Sequence, residues 1–322
     1  MWHRATIQSR KQLSPSVTGL TLKIQASNPT TNSFTFVPGQ WVDFQPLPNS
    51  TSWKPKDYRK TVGGYSITSI PKSLPYIELA IQSSRHPVAE WVTCHAQVND
   101  EVNVRVGGSF TCASDERSTD VTSQSANDKD AATNNITSPQ RLLFVAGGIG
   151  ITPLISIIQQ WHEDQKQNDK SEHDSMAVLL YSAKFKGDML FVRELNEMVG
   201  QSREKLRVVL TTTAPCTDIE YPEEIIAVQK DNSMSNVLYN RGRINREMIK
   251  DAICWMNMRD NVVDDERRQV GEGEDGMIAD LVYICGPPGL PEDIQPLLYP
   301  LDNDNGQQFV RCEKDIRFEK WW

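Results

Sequence analysis

The residues with the clearest chemical purpose form a glycine cluster between two apolar runs. Leu142-Leu143-Phe144-Val145-Ala146 leads into Gly147-Gly148-Ile149-Gly150-Ile151-Thr152-Pro153, after which Leu154, Ile155, Ile157, Ile158 and Trp161 recur at helical spacing. The order is strand, tight turn, helix. Glycines allow positive φ and, lacking Cβ atoms, let backbone amides approach an anion. The helix start that follows adds about half a positive charge. Thr152 stands near the expected N-cap, and Pro153 suits a first helical turn. The expected ligand is a nucleotide whose phosphate the backbone amides of the 147–153 turn approach. The spacing departs from G-x-G-x-x-G, because Pro153 stands where the third glycine would be. A tight turn without a ligand is the alternative reading.

Two further runs carry possible chemistry. Val282-Tyr283-Ile284-Cys285 ends in the turn Gly286-Pro287-Pro288-Gly289. In a parallel sheet whose strands are neighbours, that strand end would lie beside the glycine turn, and a nicotinamide could rest over Cys285. A small buried thiol before a Gly-Pro turn reads equally well from the same residues. Gly63-Gly64-Tyr65-Ser66-Ile67-Thr68-Ser69 sets an aromatic beside hydroxyls, so Tyr65 could stack on a ring while Ser66 or Thr68 hydrogen-bonds a ring heteroatom. An ordinary strand has the same pattern.

The elements that must position these residues fall into two groups. Val17–Gln25, Phe34–Phe44, Tyr76–Ile81 and Val102–Val106 alternate or are β-rich and are broken by Gly and Pro, which predicts a small antiparallel barrel over 1–112. One helix interrupts it, from Pro87 through Val88, Trp91, Val92 and His95. Residues 113–140 are Ser, Thr, Asp, Asn and Ala with almost no large apolar side chain, which predicts a disordered polar linker. From 141 to 322 strands and helices alternate: strands Arg141–Ala146, Met176–Ser182, Leu206–Thr212 and Leu281–Cys285; helices Pro153–Trp161, Phe191–Val199, Arg246–Met256 and one near Pro291. That order predicts an α/β doubly wound parallel sheet, with polar inserts near 214–236 and 257–280.

Composition narrows the function classes. The chain has 322 residues, which suits about two domains. Its 38% apolar content lies below the usual ~45–50%, as the polar inserts require. The formal charge of −8 is the wrong sign for a nucleic-acid binder. No run approaches ~18 apolar residues, so no membrane span is expected. The six cysteines are scattered, and the five histidines show no HExxH spacing, so neither a zinc site nor a clustered iron–sulfur centre is expected. With no secretory signal at Met1-Trp2-His3-Arg4, a cytoplasmic or mitochondrial compartment with reduced thiols is expected.

Phe36-Val37-Pro38-Gly39-Gln40-Trp41, Tyr65-Ser66, Gly107-Gly108-Ser109-Phe110, the glycine turn at 147–153 and Cys285-Gly286-Pro287 occur in that order. Together they resemble the ferredoxin–NADP reductase-like flavoprotein superfamily. Within it, Gly63-Gly64-Tyr65-Ser66, His86-Pro87 with Trp91-Val92, Tyr181-Ser182-Ala183-Lys184 and the terminal Phe318-Glu319-Lys320-Trp321-Trp322 are most similar to the oxidoreductase NAD-binding domain-containing group. The resemblance implies a flavin-binding barrel and a nicotinamide-nucleotide domain, hence an FAD-dependent NAD(P)H oxidoreductase with FAD, or alternatively FMN, and NADH or NADPH. It implies Tyr65 packed on the flavin, Ser66 near its N5, and Gly107, Gly108 and Ser109 by its phosphates. Gly147, Gly148, Gly150 and Thr152 would hold the pyrophosphate of the nicotinamide nucleotide. It further implies Cys285, with Gly286 and Pro287, near the nicotinamide, Glu319 at the reacting end, and Trp321 or Trp322 shielding the flavin. Electrons would pass to a separate acceptor, small molecule or protein. One departure stands out: Gly63 occupies the place of a family arginine that pairs with the flavin phosphate, a bond of roughly 1.5–3 kcal/mol. Arg59, Lys60, Arg85 or His86 would have to substitute. A nucleotide-binding protein with weak or lost flavin chemistry is therefore the alternative. If Lys184 meets the 2′-phosphate of NADPH, Lys184→Ala is expected to raise the KM for NADPH and leave that for NADH unchanged in steady-state assays.

Overall fold

Two sheets organise the chain. The computed structural model describes residues 1–25, 33–47, 61–112, 141–167, 175–214, 236–258, 278–300 and 307–320. The expected 113–140 linker, most of the 214–236 and 257–280 inserts, and Trp321 and Trp322 lie outside the described residues.

Strands β1 (His3–Ser14), β2 (Val17–Ile24), β3 (Trp41–Pro46), β4 (Gly63–Ser66), β5 (Tyr76–Gln82) and β6 (Glu101–Gly107) form an antiparallel sheet in the order β4-β3-β6-β1-β2-β5. The two outer strands meet: Ile67 bridges Leu79, and the Thr68 amide donates to the Glu78 carbonyl at 2.9 Å. The sheet is thus closed into a barrel. Alternate side chains such as Ile7, Leu22, Phe44, Leu79 and Val104 fill it. Helix α1 (Pro87–Cys94) covers one end with buried Val88, Trp91 and Val92, and the His86 ring nitrogen accepts from the Val88 amide at 3.3 Å as an N-cap.

The second sheet is wholly parallel. Its strands β7 (Arg141–Gly147), β8 (Met176–Ala183), β9 (Leu206–Thr212), β10 (Val237–Arg241), β11 (Leu281–Gly286) and β12 (Ile316–Lys320) run in the order β10-β9-β8-β7-β11-β12. Helices α2 (Ile151–Gln167) and α3 (Val192–Gln201) cover one face through Leu154, Ile158 and Leu195. Helices α4 (Arg246–Asn257) and α5 (Leu290–Leu298) cover the other through Ile249, Ile253 and Ile294. The chain leaves β7 toward β8 on one side and returns to β11 on the other, so the strand order reverses between β7 and β11. Ligands of such sheets bind outside the carboxyl ends of the strands at that point.

Several boundaries differ from the sequence reading. Helix α2 begins at Ile151 instead of Pro153, because Gly148–Gly150 form a 3-10 turn that runs straight into it. Phe191 precedes α3 in the left-handed region, φ 60°, instead of belonging to it. The Phe34–Phe44 run is extended but pairs as a strand only from Trp41, because Pro38 and Gly39 (φ 97°) make a turn. Strands β10 and β12, the two edges of this sheet, are absent from the sequence reading.

The two halves meet along α2 and the end of β6. The Gly39 amide donates to the buried Ser156 hydroxyl at 3.1 Å. Tyr283 stacks on Phe144 (5.3 Å, 11°) and meets Phe110 edge-on (5.6 Å, 88°). Its hydroxyl donates to the Thr111 carbonyl at 3.2 Å, which also accepts from the Arg317 guanidinium at 3.1 Å. Removing one of two donors is mild, whereas removing the ring opens a cavity. Tyr283→Phe is expected to cost about 0.5–1.5 kcal/mol and Tyr283→Ala about 3–5 kcal/mol in urea unfolding.

Candidate functional site

The glycine turn and the Cys285 turn pack directly on each other. A Cβ built on Gly150 would stand 2.2 Å from the Cys285 carbonyl oxygen; one on Gly147 would stand 2.7 Å from Pro287; one on Gly286 would stand 2.4 Å from Leu290. Gly150 is demanded by backbone atoms and Gly147 by the Pro287 ring, whereas at Gly286 the nearest atom is the end of the flexible Leu290 side chain. Gly148 differs: its φ is +52° and nothing lies within 4 Å of its Cβ position. It faces open space at the start of α2, where amides and helix dipole favour an anion. The Thr152 hydroxyl is committed to the turn, donating to the Ile149 carbonyl at 2.9 Å, and Pro153 sits buried in the first turn of α2.

Gly147 and Gly148 border a cleft of about 340 Å³ over the carboxyl ends of the strands, lined also by Ser182, Lys184, Thr213, Arg243, Pro287 and Asp293. Lys184 is thus brought to the same cleft as the glycines; its ammonium also lies 5.2 Å from the centre of the Phe185 ring. Sequence reasoning missed Ser182, Thr213, Arg243 and Asp293 as lining. Arg243 and Asp293 form an exposed pair at 3.6 Å across the mouth. Arg243 was legible in principle, because it lies between a strand and the Asn245 N-cap, whose side chain accepts from the Met248 amide at 3.0 Å.

On the side of the sheet that faces the barrel, Cys285 of β11 and Glu319 of β12 are register partners, and the strands are parallel, so their side chains share a face. Cys285 is fully buried. Glu319 Oε2 is sealed from solvent with no hydrogen-bond partner among the described residues. Burial raises the Glu319 carboxyl to about 7.

The barrel contributes Tyr65, Ser66 and Thr68, the last two buried. The Tyr65 ring lies back over Gly63, whose Cβ would be 2.6 Å from the phenol oxygen, and its edge meets Phe44 at 6.0 Å. Burial pushes the Tyr65 phenol up, so it is a neutral hydrogen-bonding group. Gly107 and Gly108 (φ +98°) are covered by the Trp41 indole, which would stand 2.7 Å from either Cβ. Ser109 is exposed, and its carbonyl accepts from the Thr111 amide at 3.0 Å. Gln40, which the sequence reading quotes in the Phe36–Trp41 run without a role, ties these parts together: its side-chain amide donates to the Gly108 carbonyl at 3.0 Å, and its backbone carbonyl accepts from the Ile67 amide at 3.0 Å.

Residues 144–295 match the family described as "Oxidoreductase NAD-binding domain". Over 315 residues the chain is 29% identical to "Oxidoreductase NAD-binding domain-containing protein 1" from Homo sapiens, covering 96% of this chain and 76% of that protein. Among solved structures it is similar to a ferredoxin-NADP+ reductase from Plasmodium falciparum (TM-score 0.58, 14% identity, 99% of this chain and 96% of the other). It is also similar to the FAD/NAD binding domain of nitric oxide dioxygenase from Vibrio cholerae (TM-score 0.57, 13% identity, 99% and 98%). The fold is therefore the two-domain ferredoxin–NADP reductase-like one. No helix among the described residues is long and apolar enough to cross a membrane.

Glu319 supplies a stability signature with a defined sign. Its folded value, about 7, exceeds the ordinary 4.5, so its contribution is present below about pH 4.5 and is lost as pH rises through 7. Glu319→Gln cannot ionise. The fall in stability between pH 5 and pH 8 is expected to be smaller in Glu319→Gln than in the native chain, by up to about 3 kcal/mol in urea unfolding.

Proposed function

We propose that the protein is a flavin-dependent NAD(P)H oxidoreductase. The observation that carries the reading is Gly148: an open, positive-φ cradle at the first amide turn of α2, at the point where the strand order reverses. A Cβ would intrude on the cleft there without touching protein, which fits an anionic ligand group better than a tight turn alone. When bound, a nicotinamide and a flavin supply hydride transfer from C4 of the one to N5 of the other. This chain's part is to bind, orient and exclude water.

In that reading the Gly148 amides and the α2 N-terminus receive the pyrophosphate of the nicotinamide nucleotide. Lys184 and Arg243 supply positive charge along the cleft wall, where a 2′-phosphate of NADPH would meet it. Cys285 is buried at the end of β11, and its register partner Glu319, poised near neutrality, would hold or yield a proton on that side of the sheet. The orphaned Glu319 oxygen supports a bound group at this place, because a buried acceptor without a partner is costly. Ser66 and Tyr65 would present a hydroxyl and a ring from the barrel. Electrons then pass to a separate acceptor, and the net charge of −8 favours a basic partner.

A second reading has its own observations. Gly63 offers no phosphate contact, and Trp41 already lies on Gly107 and Gly108. Both favour a nucleotide-binding protein of the same fold with weak flavin retention. Absorbance of the purified chain separates the two. The oxidoreductase reading expects a flavin band, native or after adding FAD, that bleaches with NADH or NADPH. Gly148→Ala, the smallest side chain at this positive φ, is expected to cost about 1 kcal/mol of stability and to weaken nucleotide binding about tenfold or more, read by titration with the fold checked by circular dichroism. Colourless protein that takes up no FAD and oxidises neither nucleotide would defeat the oxidoreductase reading.

A further inference from the structure

Helix α2 belongs to both halves of the molecule. The Gly148 cradle stands at its start, Leu154 and Ile158 pack it on the parallel sheet, and a further side meets the barrel. It is fixed to the barrel at two points. The Ser156 hydroxyl accepts from the Gly39 amide at 3.1 Å, and Glu163 pairs with Lys72, in the 3-10 turn Pro71–Ser73, at 2.8 Å. Positions 156 and 163 are two turns apart, so they lie on one side of the helix, about 10 Å from each other along its axis.

The two contacts differ in kind. The Lys72 side chain is 70% exposed, and Glu163 also holds Lys166 at 3.1 Å, so the outer contact is screened and weak. Ser156 is fully buried, and its partner is equally confined. Gly39 has φ +97°, and a Cβ there would stand 2.1 Å from the Phe110 carbonyl oxygen and 3.0 Å from Ile157. The turn is wedged between barrel backbone and α2, and without the hydroxyl its amide would be buried with no acceptor. The same turn holds the candidate flavin residues. Gln40 donates through its side chain to the Gly108 carbonyl and accepts through its backbone carbonyl from the amide of Ile67, the neighbour of Ser66. A continuous path thus runs from the Gly148 cradle along α2 to Ser156, across one hydrogen bond to Gly39, and through Gln40 to Gly108 and Ile67.

We propose that Ser156 is a positioning residue for hydride transfer, an inference that rests on the flavin-dependent reading above. Ser156 does not line the nucleotide cleft, so it acts on the reaction only through Gly39. The bond sets where the nucleotide cradle stands against Ser66, Gly107 and Gly108. Hydride transfer needs the reacting atoms about 3–3.5 Å apart, and a misplacement of about 1 Å slows such a step about 100-fold. Loss of the bond therefore acts on the transfer rate and leaves nucleotide affinity in place.

The test is Ser156→Ala in the full chain, which removes the acceptor at a helical position that alanine suits. Before any cofactor is added, hydrogen exchange over residues 36–41, followed by mass spectrometry, is expected to quicken about tenfold while β7 and β11 exchange as in the native chain. Titration with NADH and with NADPH is expected to give dissociation constants within about twofold of native. In rapid mixing at saturating nucleotide, bleaching of bound FAD is expected to slow about tenfold or more. Lys72→Ala, at the exposed contact, is expected to leave all three readings as they are. A general loss of folded protein would weaken binding and rate together. The proposal is overturned by unchanged exchange, by unchanged bleaching, by a rise in the dissociation constant that matches the fall in rate, or by equal slowing in Lys72→Ala. A native chain that takes up no FAD defeats the oxidoreductase reading and the positioning role together, whereas native and Ser156→Ala chains that bleach equally fast defeat the positioning role alone.

Discussion

The close approach of two backbone turns governs the rest of this structure. Gly150 stands against the Cys285 carbonyl, and Gly147 against Pro287. No side chain of any size fits between them. Because β7 and β11 can be neighbours only if those turns interpenetrate, the reversal of strand order depends on glycine at these positions. The cleft that follows from the reversal depends on the same contact. Overpacking a junction of this kind typically costs about 1–3 kcal/mol, enough to matter against a marginal total stability.

Much of the scaffold was legible. Strand β9 begins and ends where its alternation says, at Leu206 and Thr212, and Asn245 caps α4 through its side chain as its position suggests. Both follow from local rules, period and capping. Strand β12 was not legible, because Ile-Arg-Phe-Glu-Lys carries charge at three of five positions and Phe318 is exposed. Its pairing to β11 is decided by tertiary contact, not by its own pattern. The start of α2 moved two residues because a glycine turn can wind into a helix with no cap.

The candidate site was legible in type and not in detail. The glycine cluster reads as a ligand cradle, yet most of its glycines answer to protein atoms and only Gly148 faces open space. Sequence cannot make that division, because it depends on what lies across the turn. The burial of Glu319 is likewise a property of the register with Cys285, 34 positions away in the chain. Gln40 and Trp41 sit in a recognisable run, but their contacts with Gly107 and Gly108 arise only when β3 and β6 pair.

The closure of the barrel has a consequence for how this molecule meets other chains. Where Ile67 joins Leu79, an isolated bridge ties the β4 side of the sheet to β5, which shortens the edges that half can lend among the described residues. The parallel sheet still has two, β10 and β12. Addition of a foreign strand, whether by a partner or by misassembly, is thereby favoured on the parallel sheet. On β12 that edge carries Arg317, Glu319 and Lys320, and charged side chains are the ordinary protection of an edge that must stay solitary.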